Sequence, residues 1–167
     1  MTRSALPSLS LLAFALSAGL ALAQGMAVGF GGLRQDPGAP VEITSDGLTV
    51  DQASGRAVFD GNVLVLQGAL RMTAARVEVE YGDNGQGIRR LNATGGVTLV
   101  TAAEAAESRD ATYEVESGAL VMTGSVLLTQ GQATIAGETL VADLRAGTGQ
   151  MQGRVRTVFQ PAGKGGN

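Results

Sequence analysis

The residue types that carry most enzymatic chemistry are scarce in this 167-residue sequence, which contains no histidine and no cysteine. An imidazole base, a His-ligated zinc and a thiol nucleophile are therefore excluded. Two carboxylates would suffice for a glycosidase. The acidic residues, however, fall mainly at alternate strand positions or in predicted turns, where carboxylates are solvated. We therefore predict a non-enzymatic protein with no catalytic residue, no metal and no other cofactor.

Three short motifs resemble binding or modification signals but lie in unsuitable surroundings. Gly85-Gln86-Gly87 and Gly147-Thr148-Gly149 lack the strand-to-helix setting of a phosphate loop, so we interpret both as hairpin turns. Asn92-Ala93-Thr94 matches a glycosylation acceptor but falls inside a predicted strand. Arg89 and Arg90, adjacent on a strand, point to opposite faces. With a formal net charge of −3, the chain is also not predicted to bind nucleic acid, which requires clustered basic residues.

The beginning of the chain has the pattern of a cleaved secretory signal. Arg3 precedes an apolar run, Leu9 to Leu22, that closes on the small-x-small pattern Ala21-Leu22-Ala23. We predict cleavage before Gln24, which makes residues 1–23 a signal peptide and places the mature protein in the periplasm. An uncleaved membrane anchor is the less favoured alternative, because the run is short for a span of about 20 apolar residues.

The remaining chain is predicted to hold one folded domain between two flexible segments. Residues 24–39 are rich in glycine and proline and are predicted to be a flexible leader, and residues 161–167 a flexible tail. The domain is then residues 40–160. Without cysteines it must be stabilised by packing and strand pairing.

A Gly-x-Val unit occurs four times, with central glycines Gly61, Gly95, Gly124 and Gly153. Residues alternate between apolar and mixed on both sides of each glycine, which is the period of a strand with one buried face. Because glycine weakens a strand unless the strand bends there, we predict that every long strand bends at one height. This predicts an all-β fold with a curved stacked sheet: a β-jellyroll, a β-taco or a solenoid.

The inward parity also slips by one residue at two matching places. The slips fall between Met72 and Val77 and between Ile135 and Leu140. We predict a bulge or turn at each place.

The apolar rows that run through the units have two possible roles. Their side chains could simply pack against each other across two sheet layers. Alternatively, small side chains on a curved sheet could leave a slot for acyl chains, since each methylene removed from water contributes about 0.8 kcal/mol. Composition alone leaves both open.

A resemblance to a known family supports the second role. The segments Pro40-Val41-Glu42-Ile43-Thr44-Ser45-Asp46 and Phe59-Asp60-Gly61-Asn62-Val63-Leu64-Val65-Leu66-Gln67-Gly68 resemble the OstA-like family, as do residues 113–115 and 120–124. The resemblance covers about residues 40–161. It implies a twisted, open β-jellyroll whose interior holds the acyl chains of lipid A during lipopolysaccharide transport. Residues 102–110, polar and alanine-rich, depart from the pattern and are not predicted to be strand-like.

Lining positions of that family correspond here to Val41, Ile43, Leu99, Tyr113 and Val115. Together with the inward apolar rows they give the predicted lipid-binding residues: Val41, Ile43, Val50, Phe59, Val63, Val65, Val97, Leu99, Tyr113, Val115, Met122, Val126 and Leu128.

The resemblance further implies a head-to-tail homo-oligomer that joins an LptC-like inner-membrane protein to an LptD-like outer-membrane protein. An open jellyroll leaves unpaired backbone groups on its first and last strands, which a neighbour's strand can pair with. We predict the self-association edges at Val41, Ile43, Val155, Thr157 and Phe159.

Two alternatives remain at this point. One is another exported OstA-like member, such as an LptC-like protein. The other is a structural or carbohydrate-binding exported β-solenoid, which is disfavoured because the mature chain has few aromatic residues for stacking on sugars.

Overall fold

The computed structural model describes residues 26–29, 36, 38–82 and 87–160, and every regular element among them is a β-strand. None of the described segments contains a helix with the length and hydropathy of a membrane span. The predicted all-β class is confirmed. The thirteen strands are β1 Met26–Gly29, β2 Val41–Thr44, β3 Gly47–Asp51, β4 Arg56–Gln67, β5 Leu70–Tyr81, β6 Ile88–Thr94, β7 Val97–Val100, β8 Glu104–Ser108, β9 Asp110–Glu114, β10 Ala119–Gln130, β11 Ala133–Asp143, β12 Thr148–Gln152 and β13 Arg156–Phe159.

These strands form one antiparallel sheet that is folded along a line into two arms, which meet at a shared corner. The first arm holds β3, residues 56–60 of β4, 76–81 of β5, β6, β9, residues 119–123 of β10, 139–143 of β11, β12 and β1. The second arm holds β2, residues 63–67 of β4, 70–74 of β5, β7, β8, residues 126–130 of β10, 133–137 of β11 and β13.

The chain crosses the corner repeatedly, and each crossing is called a pass here. The eight passes are β2 with β3, β4, β5, β6 with β7, β8 with β9, β10, β11, and β12 with β13. Neighbouring passes are antiparallel, so each runs from one arm into the other in the direction opposite to its neighbour.

The register aligns inward side chains in rows that cross every pass. In the second arm, one row contains Ile43, Val65, Met72, Leu99, Ala106, Leu128, Ile135 and Thr157. In the first arm, one row contains Leu48, Phe59, Val77, Ala93, Ala111, Met122, Leu140 and Met151. Away from the outermost strands, both rows belong to a single hydrophobic core between the arms. This is the predicted jellyroll.

The corner is built from residues with left-handed backbone angles. Every second pass crosses it with two consecutive residues of positive φ: Gly61 and Asn62 (79° and 46°), Gly95 and Gly96 (84° and 90°), Gly124 and Ser125 (85° and 59°), and Gly153 and Arg154 (76° and 36°). The repeated bend that the Gly-x-Val units predicted is therefore confirmed.

The first glycine of each pair also touches the neighbouring pass too closely to carry a side chain. A Cβ atom on Gly95 would lie 2.7 Å from Ala75 Cβ, well inside van der Waals contact. The same close approach joins Gly61 to Asp46, Gly124 to Arg109 and Gly153 to Glu138. Ala75 and Glu138 each oppose two residues of the next strand, which is a β-bulge and accounts for the predicted slips in parity.

Three sequence expectations need correction. Residues 104–108 form β8, which pairs with β7 and β10, so the alanine-rich stretch is strand after all. Residues 26–29, within the predicted flexible leader, form β1 on the edge of β12. Thr148 and Gly149, interpreted as part of a turn, begin β12. The signal peptide, the tail and residues 85–86 lie outside the described residues.

We predict that the close approach, and not only the backbone angle, makes Gly95 indispensable. Gly96→Ala introduces a side chain at φ 90° into open space and should cost about 1–2 kcal/mol of unfolding free energy. Gly95→Ala adds the collision with Ala75 and should cost at least about 1 kcal/mol more. Urea unfolding of both variants measures the difference.

The control is the double variant Gly95→Ala with Ala75→Gly, which removes the colliding Cβ and should recover part of the lost stability. Equal losses in Gly95→Ala and Gly96→Ala, with no recovery in the double variant, would show that backbone strain alone explains the corner.

Candidate functional site

The predicted lining residues lie together on the inward faces of the two arms. Val63, Val65, Val97, Leu99, Tyr113, Met122, Val126 and Leu128 are all buried in the core. Val41, Ile43, Phe59 and Val115 are half-buried and pack against it. Val50 is 57% exposed, although it pairs with the fully buried Ala57 and therefore faces the same side, because it sits on the edge strand β3.

The interior between the arms is occupied by these side chains. The largest fully buried side chains come from both arms, and they include Leu70 and Leu99 from the second and Leu91, Tyr113 and Leu140 from the first. Inward residues in the middle of the molecule therefore contact one another. A guest between the arms has to replace those contacts with its own.

One polar pair crosses the apolar interior. The Tyr113 hydroxyl, in the first arm, donates a hydrogen bond of 2.7 Å to Gln67 Oε1 in the second. Burial raises the pKa of the Tyr113 phenol, which keeps the hydroxyl protonated as a donor. Gln67 in turn donates a longer bond of 3.4 Å to the Ala39 carbonyl. The Tyr113–Gln67 bond thus ties the arms together on the side away from the corner.

A cleft of about 600 Å³ opens beside this tie, where the two arms end. Its wall is apolar at Val41, Ile88 and Val115, and its rim carries Glu116 and Arg145. Arg145 Nη1 donates a 3.1 Å hydrogen bond to the Glu116 carbonyl oxygen, which holds the guanidinium at the rim. We call this cleft the mouth. It combines apolar surface with charge and is continuous with the core through Gln67.

The outward face of the first arm carries ion pairs. Arg56 lies 3.2 Å from Glu78, Arg89 lies 2.7 Å from Glu80, and Arg90 pairs with Glu114. The acids of alternating strand positions are therefore neutralised on the outer surface, as the sequence predicted for a solvated face. No group of three or more potential metal ligands occurs within the described ranges.

Both ends of the sheet carry inward-facing apolar side chains that the core leaves exposed. At the first edge, Leu48 and Val50 on β3 are each 57% exposed. At the last edge, Phe159 on β13 lies opposite the half-buried Ala133 and is 75% exposed. Val155 precedes β13 and packs against the core. Within the described strands, β2 and β3 pair only with β4, and β13 pairs only with β11.

The sequence analysis missed several residues of this site. Gln67 continues the inward parity of Val63 and Val65, so the alternation itself contained the signal. Ile88, Glu116 and Arg145 follow turns or an insertion, where no strand period indicates which way a side chain points.

Comparison with known proteins assigns a family to this arrangement. A family model described as LptA/(LptD N-terminal domain) LPS transport protein matches residues 42–148, more than half of the chain. The chain belongs to this family. The resemblance to the OstA-like family, and to its lipopolysaccharide export member LptA, is thereby confirmed. Since members of the family are transport proteins, the prediction of a non-enzymatic protein is confirmed as well.

Two individual proteins are similar over most of the chain. An uncharacterized protein of Rhizobium meliloti (strain 1021) is 27% identical over 157 residues, covering 87% of this chain and 84% of the relative. The crystal structure of LptH, the LptA homologous periplasmic component of the lipopolysaccharide transport device of Pseudomonas aeruginosa, aligns with a TM-score of 0.69. At 21% identity it covers 76% of this chain and 99% of LptH, so the two share a fold.

We predict that the two members of the tie depend on each other. Tyr113→Phe leaves the buried Gln67 oxygen without its donor and should cost about 1–3 kcal/mol of unfolding free energy, as should Gln67→Leu. The double variant should lose less than the sum, because no polar group is then left unsatisfied. A double-mutant cycle from urea unfolding measures the coupling.

A pH series supplies the control. Because burial raises the folded-state pKa of Tyr113, the bond's contribution is complete below the ordinary tyrosine pKa of about 10 and declines as pH rises above it. Tyr113→Phe should lack this part of the alkaline loss of stability. Additive single losses, or identical alkaline profiles, would contradict the tie.

Proposed function

We propose that this protein is a periplasmic lipopolysaccharide-binding transport protein. It carries the acyl chains of lipid A between its two arms and bridges an LptC-like inner-membrane protein and an LptD-like outer-membrane protein. The predicted signal peptide supports export, and the fold is shared with a periplasmic component of a lipopolysaccharide transport device.

The observation that carries this proposal is the continuity of the inward rows. The row that contains Leu99 runs from Ile43 on the first strand of the second arm to Thr157 on the last. Between its ends no charged side chain interrupts it. An apolar track that reaches both ends of a molecule suits cargo that is passed along, whereas an enclosed pocket suits cargo that is retained.

Loading requires the arms to separate, because the interior holds no free volume large enough for an acyl chain between Leu99 and Tyr113. Separation at the corner would break the close glycine contacts of every second pass. Separation at the mouth breaks mainly the Tyr113–Gln67 bond and apolar contacts. The arms therefore open from the mouth.

The energetic cost of opening is offset by the cargo itself. Contacts among inward side chains are exchanged for contacts with alkyl chains of similar polarity. Each methylene that leaves water contributes about 0.8 kcal/mol. A nearly balanced exchange allows an acyl chain to be held without a bond that would prevent its release to the next protein.

The edges support the bridging part of the proposal. Leu48, Val50 and Phe159 would be covered when another jellyroll continues the sheet at either end. Such pairing also extends the inward rows into the neighbour, which gives a head-to-tail assembly a continuous apolar track.

Carbohydrate binding has less support. Among described aromatic residues, Tyr81 and Phe159 are exposed, and they lie in different arms. They do not form one stacking platform. The family match lies with LptA and the N-terminal domain of LptD, which favours an LptA-like role over the LptC-like alternative.

Site-specific photo-crosslinking in cells tests the lipid site. A crosslinker at Leu99 or Tyr113, both inward, should capture lipopolysaccharide at least about tenfold more than one at the adjacent outward positions Thr98 and Glu114, since side chains alternate across a strand. The yield is read from immunoblots with an antibody against lipopolysaccharide. Equal capture at inward and outward positions would refute transport between the arms.

A further inference from the structure

The two ends of the jellyroll are complementary in strand direction. Because the eight passes alternate, the last pass, β12 with β13, runs opposite to the first pass, β2 with β3. The corner alternates as well, since Gly153 lies on the last pass and Asp46 on the first. A second copy can therefore add its first pass to the last pass with both alternations preserved.

This continuation fixes the register of the incoming strand. Within one chain, β3 pairs with β4 so that Leu48 faces Phe59, two residues before Gly61. The equivalent position on the last pass is Met151, two residues before Gly153. A second copy's β3 would thus place Leu48 opposite Met151, Thr49 opposite Gln150 and Val50 opposite Gly149.

The strand β1 of the same chain already occupies these positions. It pairs with β12 in the antiparallel sense, with Met26 opposite Met151, Ala27 opposite Gln150 and Val28 opposite Gly149. The backbone of Met26-Ala27-Val28 therefore takes the place of Leu48-Thr49-Val50 residue for residue. At its end, the Gly29 carbonyl accepts a 2.7 Å hydrogen bond from Gln130 Nε2.

We propose that β1 is a built-in competitor for self-association: it imitates β3 on the β12 edge and must be displaced by β3 of a second copy before the first arms can join. The inference rests on the head-to-tail assembly proposed above. It adds a device that restrains assembly, because one of the two strands offered at the last edge is already paired.

The arms respond differently to this device. In the second arm, β13 has no strand on its outer side within the described part of the chain, so β2 of a second copy can pair there at once. In the first arm, β12 becomes available only when β1 leaves. Association then proceeds through a half-joined dimer, and the four-residue length of β1 keeps its displacement inexpensive.

A reversible lock on β1 tests the inference in the mature chain, residues 24–167. Ala27→Cys with Gln150→Cys joins two exposed, directly opposed residues, a spacing that suits a disulfide. Since the chain has no other cysteine, the bond is unambiguous. Sedimentation equilibrium should show self-association about tenfold or more weaker in the oxidised protein than in the same protein after reduction.

The opposite change should strengthen association. Replacing residues 26–29 by Gly-Ser-Gly-Ser lowers the strand propensity of β1 and should tighten self-association by about tenfold. A mixture of Thr49→Cys and Gln150→Cys chains should form an intermolecular disulfide more readily than the off-register control, Thr49→Cys with Gln152→Cys.

Equal association of the locked and reduced protein, or equal disulfide yields in the two registers, would overturn the inference. If every form stays monomeric, both the competitor and the head-to-tail assembly are wrong. Capture of lipopolysaccharide at Leu99 does not depend on self-association, so that result would leave the lipid site standing.

Discussion

Every second pass crosses the corner so close to its neighbour that there is no room for a Cβ atom. Gly95 against Ala75 is the clearest case, and the same contact recurs at three further places along the fold line. This constraint sets where each strand bends, and the common bend height brings the inward residues of all passes into register. A continuous apolar interior is therefore a consequence of the corner, and so are two sheet ends of matching geometry.

The side of the molecule away from the corner is held by weaker means. There the arms meet through apolar contacts and the single Tyr113–Gln67 hydrogen bond, beside a cleft with Glu116 and Arg145 at its rim. A fold that is tight along one line and loosely tied opposite it opens in one direction only. This asymmetry reconciles an interior filled by its own side chains with the transport of a lipid.

The parts of the fold that the sequence predicted are those with local signals. A glycine in an apolar alternation marks a bend wherever it occurs, so Gly124 and its equivalents indicated the corner without knowledge of the partners. Distant pairings carry no such signal: Gly29 of β1 meets Gln130 101 positions later, and Gln67 meets Tyr113 46 positions later. Ala106 in β8 was missed for another reason. It suits a helix in isolation, but its small side chain fits the row between Leu99 and Leu128.

Distance measurement between spin labels tests most directly whether the arms part at the mouth. The absence of cysteines allows labels at Arg71→Cys in the second arm and Ser117→Cys near the mouth of the first, with Arg71→Cys and Thr129→Cys within one arm as the control pair. On addition of lipopolysaccharide, the distance across the mouth should lengthen by about 4 Å or more, the thickness of one added layer of carbon contacts, while the control distance stays constant. An unchanged distance across the mouth in protein that has bound lipopolysaccharide would contradict the account.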